Sequence, residues 1–179
     1  MKFDLAETIA LLHRTPSTLN SLLRGLPESW THSNEGPNTW STFDVVGHLI
    51  HGERTDWIPR ARIILSDRED RSFEPFDRFA QAKLNQGKSL AELLDEFAQL
   101  RQESLSALRA MNLQPKDWER RARHPALGVV TLSELLASWP VHDLTHLHQI
   151  SRVMAVQYRE AVGPWTAFMG AMQCNGHSA

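Results

Sequence analysis

The residues of this chain whose types and spacing suit chemistry lie in Pro140-Val141-His142-Asp143-Leu144-Thr145-His146-Leu147-His148-Gln149-Ile150. At about 100° per residue on a helix, His142 and His146 share one face with Leu132, Leu135, Leu136, Trp139, Ile150, Val153 and Met154, whereas His148 projects to the opposite side. Two imidazoles one turn apart on an apolar face can point two ring nitrogens at one metal ion. Buried without a ligand or a hydrogen-bond partner, each would cost free energy where a leucine would not. The chain has nine histidines, and an isolated histidine on an apolar face is ordinarily a hydrogen-bonded core residue. The pair alone therefore leaves both readings open, and a third ligand from another element would decide between them.

The element that must position this pair is a helix from Leu132 to about Val156, opened by a capping box of Thr131 and Glu134. Pro140 inside it removes the bond to the Leu136 carbonyl and predicts a bend one turn before the histidines. A second capping box, Ser89-Leu90-Ala91-Glu92, opens a stripe of Leu90, Leu93, Leu94, Phe97, Leu100, Leu105, Leu108 and Met111 that ends near Asn112. Ser41 with Asp44 caps a helix of about six turns marked by Phe43, Val46, Leu49, Ile50, Trp57, Ala61 and Ile64. It carries His48, His51 and Glu53. Glu53 projects near the middle of the stripe, while His48 lies to one side and His51 near an edge, so projection does not select His48 as a ligand. Residues 3–24 form a first helix, with a bend or break near Pro16 and a stop at Gly25 and Pro27.

Between these helices run long connections. Residues 27–41 form a loop bracketed by Trp30 and Trp40, which are expected to pin it to the bundle end, with a pocket wall as the alternative. Residues 65–88 read as a crossover that packs down through Phe73, Phe76 and Phe79. The run from Trp118 to Val130 reads as a solvated loop in which His124, before Pro125, is a turn residue. A short helix from Trp165 to about Met172 follows Gly163-Pro164, and the tail through Ala179 is expected to be loosely ordered. The fold class is thus all-α: a four-helix bundle with long crossover connections plus a short C-terminal helix.

At 179 residues and 41% hydrophobic, the chain suits one domain over residues 1–179. A formal net charge of −2, from 19 basic and 21 acidic residues, gives no electrostatic case for nucleic acid or an anionic membrane. The sequence has no apolar run of membrane-spanning length and no signal-peptide pattern at Met1–Glu7, so a cytoplasmic location is expected. Cys174 is the single cysteine, which excludes an intrachain disulfide and a multi-cysteine metal site.

Trp40-Ser41, then Gly47-His48-Leu49-Ile50-His51-Gly52-Glu53-Arg54, then the segment from Pro140 to Ile150, closely resemble the DinB-like (YfiT-like) superfamily of metal-dependent proteins. The likeness extends from the first helix through Ala161-Val162-Gly163-Pro164-Trp165. It implies a four-helix bundle with down-up-up-down connectivity and a metal held by three histidines: His48 on the second helix, and His142 and His146 on the fourth. Glu53 matches an acidic position after the His-Leu pair, which implies a supporting or proton-handling role. The family includes members similar to thiol-dependent transferases and isomerases.

Three neutral imidazoles leave a divalent ion its charge and at least one open position, as catalytic sites do. Zinc or nickel, or else iron or manganese, suits such donors. An open position can lower the pKa of bound water toward about 7, or hold a low-molecular-weight thiol for attack on an electrophile. The expectation is a metal-dependent hydrolase or thiol-dependent S-transferase acting on a small molecule, with a noncatalytic, metal-stabilised binding or stress-related module as the alternative. The ion is expected to dissociate as pH falls below the ordinary imidazole value of roughly 6.5. The short last helix, with Trp165 near it, leads to the expectation of a homodimer.

Overall fold

Prolines and capping boxes set the helix boundaries. A computed structural model describes residues 2–174. The first helix is broken, as Pro16 predicts, into α1 (Leu5–Leu12) and α2 (Thr15–Leu23), with Pro16 in the first turn of α2. Proline lacks the N–H that would have bonded the Leu12 carbonyl four residues back. A short α3 (Glu28–Thr31) follows in the first connection. The second helix departs from the expected unbroken six turns. It divides into α4 (Thr42–Thr55), opened by the reciprocal Ser41–Asp44 box, and α5 (Trp57–Leu65), with the break at Asp56. Pro59 explains the break, because it cannot bond the Thr55 carbonyl and is tolerated only in the first turn of a new helix.

The crossover contains α6 (Ala80–Leu84) and leads to α7 (Leu90–Ala110), which has the predicted Ser89–Glu92 box. The run read as a solvated loop is instead an antiparallel hairpin, β1 (Arg121–His124) and β2 (Gly128–Thr131), in which Ala122 opposes Val130. Its tight turn uses Gly128 at φ +76°, a conformation that favours glycine. The hairpin is fastened to the crossover by two backbone bonds, from the Phe73 N–H to the Arg123 carbonyl (2.9 Å) and from the Arg123 N–H to the Arg71 carbonyl (2.8 Å). Alternation in Arg121-Ala122-Arg123, with Ala122 buried, is the strand signal that the basic character of this run hides.

Helix α8 runs unbroken from Leu132 to Val156 with Pro140 inside it. The expected final helix is two shorter pieces, a 3-10 stretch over Gly163–Phe168 and a helical turn over Gly170–Gln173, preceded by α9 (Arg159–Val162). The expected loose tail through Ala179 lies beyond Cys174, outside the described residues.

In the bundle α4 packs against both α7 and α8, α1 packs against α8, and α2 against α7. Of the helices consecutive in sequence, the first and second, and the third and fourth, therefore sit diagonally, while the second and third are neighbours. The first and third connections must span that diagonal, and all three connections come near the histidines.

The core falls into two apolar clusters. One gathers Leu12, Trp57, Leu105, Leu108, Leu136 and Trp139; the other gathers Leu19, Leu49, Ile50, Leu94, Phe97 and Ile150. Between them each bundle helix contributes one polar residue: Thr15, Glu53, Arg101 and Asp143. Arg101 is 1% exposed and reaches every one of these helices. Its guanidinium donates to Glu53 Oε1 (2.9 Å), to both Asp143 oxygens (2.6 and 3.0 Å) and to the Leu12 carbonyl (2.8 Å). The last of these is the acceptor that Pro16 leaves free. Thr15 adds a hydroxyl bond to Asp143 (2.6 Å).

Candidate metal centre

Helices α4 and α8 pack against one another, and three imidazoles meet between them beside this polar layer. His142 Nε2 lies 3.1 Å from His48 Nε2 and 3.1 Å from His146 Nε2. Ligand atoms of the three rings all fall within 4.8 Å of one another. His48 is off-centre in the helical projection, but α4 contacts α7 on one side and α8 on the other, so a residue at the edge of its stripe faces α8. His148 is exposed, on the opposite side of α8. His51 is buried on α4 against Phe76 and does not join the cluster.

The ring nitrogens do not satisfy one another. Gln149 Oε1 accepts from His146 Nδ1 (2.7 Å), which puts that ring's hydrogen on Nδ1 and leaves Nε2 with a bare lone pair. His142 Nε2 carries at most one hydrogen and cannot satisfy both neighbours. Nδ1 of His48 and Nδ1 of His142 are buried without partners. Three converging Nε2 atoms, one of them fixed as a lone pair, form an arrangement that a cation relieves and that hydrogen bonding among the rings cannot.

Electrostatics keep the rings neutral. Burial, followed by the neighbouring His146, His51 and Arg78 charges, pushes His48 down to about 3. Burial and the other two rings push His142 down to about 2. His146 is lowered by burial against the opposing pull of Gln149 and Asp143. Neutral imidazoles are the form that binds metal, and here they need no deprotonation at neutral pH.

A cavity of about 390 Å³ opens beside the cluster. All three connections wall it: Trp40 from the first, Phe76 and Arg78 from the crossover, and His124 from the hairpin. Trp40 lies 4.8 Å from the His48 ring and Phe76 5.4 Å from it. Of the two tryptophans bracketing the first loop, Trp40 thus lines the pocket, while Trp30 packs on Tyr158 at 4.8 Å. His124, expected in a turn, is instead the last residue of β1, where its Nδ1 accepts from the backbone N–H groups of Ala126 and Leu127 in the turn that follows, and it faces the cavity as well. The crossover is seated by α6 at Gly47, where a Cβ would fall 1.9 Å from the Asn85 amide nitrogen.

Glu53 stands behind the cluster. No hydrogen bond joins it to the three histidines among the described residues; it accepts from Arg101 and from Trp139 Nε1 (3.1 Å). Burial raises its pKa in spite of Arg101. Trp139 stacks on Trp57 at 5.4 Å, and Trp57 meets the His142 ring edge-on at 5.1 Å. The residues that sequence reasoning passed over are Arg101, Asp143, Gln149 and Arg78. Arg101 and Asp143 carried a signal, since each sits in its helix's apolar register: Arg101 four residues from both Phe97 and Leu105, Asp143 four from Trp139. Gln149 and Arg78 carried none.

Fold and site together define a class. The DinB superfamily profile matches residues 11–150, and the chain belongs to that superfamily. Among solved structures it is similar to YfiT from Bacillus subtilis, described as a probable metal-dependent hydrolase with an unusual four-helix bundle topology; the TM-score is 0.70, with 19% identity over 90% of each chain. At that identity the likeness speaks for the fold. No curated protein sequence matches the chain significantly. Among the described residues no helix is long and apolar enough to cross a membrane.

Proposed function

We propose that the chain is a metal-dependent enzyme, a hydrolase or a thiol-dependent S-transferase, with His48, His142 and His146 as the ligands through Nε2. The convergence of three neutral Nε2 atoms at the wall of a 390 Å³ cavity carries this reading. No fourth histidine, cysteine or carboxylate joins the group among the described residues, which favours a centre open to a small molecule over a closed structural one. A divalent ion held there, zinc or nickel first, supplies a Lewis-acid centre. Gln149 fixes the His146 tautomer, and the Trp139–Trp57 stack anchored on Glu53 packs against His142, so that these groups hold the rings in place. Trp40 and Phe76 exclude bulk water from one side. The description of YfiT as a probable hydrolase supports hydrolysis as the leading reading; in the thiol-dependent reading a low-molecular-weight thiol occupies the same opening. A noncatalytic metal-stabilised module would need no such cavity.

The test is metal analysis of protein purified without a histidine tag. His142→Ala or His146→Ala should lose most of the ion, while His148→Ala and Glu53→Gln keep it. Loss in all four, or retention in the first two, overturns the ligand assignment. An ester and amide panel, alongside an electrophile offered with a low-molecular-weight thiol, then separates the two reactions. Inactivity on both panels with the ion bound favours the noncatalytic module.

A further inference from the structure

The hairpin exposes Leu127 (74%) and Val129 (58%), two apolar side chains that no core packing explains. They line a second cavity of about 440 Å³, with Phe73 and Leu135. This groove and the histidine cavity share Asp56, Arg60 and His124 as wall, so the two compartments adjoin. Asp56 and Arg60 neutralise one another through a 2.7 Å ion pair. Arg78, on the wall of the histidine cavity, has no ion pair among the described residues. Asp56 is the one carboxylate lining that cavity, so Arg78 leaves its acidic and basic side chains with one uncompensated positive charge, and a bound divalent ion makes the excess larger.

We infer that the site takes a small carboxylic acid with an apolar body, its carboxylate paired with Arg78 and its body lying in the groove under the hairpin. The inference rests on the proposed site and names its substrate class. Arg78 acts as a specificity residue, because a guanidinium fork matches a carboxylate. Leu127 and Val129 set chain length: each methylene that leaves water there adds about fourfold in affinity.

Calorimetric titration of zinc-loaded protein with octanoate, butyrate and octanamide tests this. Octanoate should bind at least about tenfold more tightly than butyrate, and more tightly than octanamide. Arg78→Met should weaken both acids about tenfold and leave octanamide unchanged. Val129→Glu, an exposed change with little bearing on folding, should weaken octanoate and spare butyrate. Equal affinity for the two acids removes the groove from the inference, and full affinity in Arg78→Met shows carboxylate binding by zinc alone; either result overturns it. Zinc content measured on the same samples, and a repeat on zinc-free protein, separate the two hypotheses. Chain-length and Arg78 dependence that survive without zinc uphold the inference even where the ligand assignment fails.

Discussion

Replacing Arg101 by methionine should cost the fold about 3–5 kcal/mol at pH 7.5, the range for removing one partner of a buried ion pair. The magnitude follows from what Arg101 leaves behind: Glu53 and Asp143, both buried, and the Leu12 carbonyl that Pro16 has already deprived of a helical partner. Against a total stability of about 5–15 kcal/mol, that is a large share. The pH dependence identifies the cause. Without the guanidinium, a carboxylate buried in the fold holds a proton that the unfolded chain, with ordinary carboxyl values near 4, does not hold above about pH 5. Acidification then favours the variant's folded state, and the penalty relative to the parent shrinks by about 1.4 kcal/mol per pH unit for each carboxylate that protonates. Urea midpoints of parent and variant at pH 7.5, 6.5 and 5.5 measure the difference, from which the titration of the histidines common to both cancels. Arg101→Lys, which keeps the charge and loses the fork, should fall between the two and provides a folded comparison if the methionine variant does not fold. A penalty below about 1 kcal/mol at pH 7.5, or one that grows as pH falls, would refute the view that Arg101 compensates buried charge.

Metal-free protein should itself lose stability on acidification. The His48 and His142 rings stay neutral in the fold down to about 3 and about 2 but titrate near 6.5 when unfolded, so their contribution is complete above 6.5 and is lost progressively below it, by roughly 1.4 kcal/mol per pH unit for each ring. His48→Leu should flatten that dependence in urea titrations, and an unchanged slope counts against burial as its cause. The same lowering corrects the expectation drawn from a free imidazole: a bound ion should survive below pH 6.5, with release following acid unfolding when circular dichroism and metal content are recorded together. Gly47→Ala should destabilise the parent by about 1–3 kcal/mol through its clash with Asn85, yet be neutral or stabilising in an Asn85→Ala background, where alanine's helix propensity prevails; additivity in that double-mutant cycle would remove the close approach as the cause. Trp165 and Phe168 are 67% and 79% exposed, and light scattering should find a dimer; a mass of 20.4 kDa across the micromolar range would contradict pairing.

The sequence by itself determined the parts of this protein that depend on local rules. Capping boxes at Ser41, Ser89 and Thr131 fixed three helix starts, Pro16 fixed a break, and the i,i+4 spacing placed His142 and His146 on one buried face. Each of these follows from hydrogen bonding within a few residues, which a linear reading sees. The tertiary structure decided what depends on neighbours distant in the chain. His48 faces the pair because α4 packs against both α7 and α8, which turns the edge of its stripe toward α8, and no projection of one helix can show this. Glu53, central in its stripe, was for the same reason bound to be buried, but only packing revealed that Arg101 and Trp139 hold it away from the histidines. The hairpin escaped notice because its arginines alternate with a single buried alanine, a weak signal beside a strong charge run. Gln149 and Arg78 matter through the ring and the cavity that they face, and the directions of side chains are settled by packing between elements.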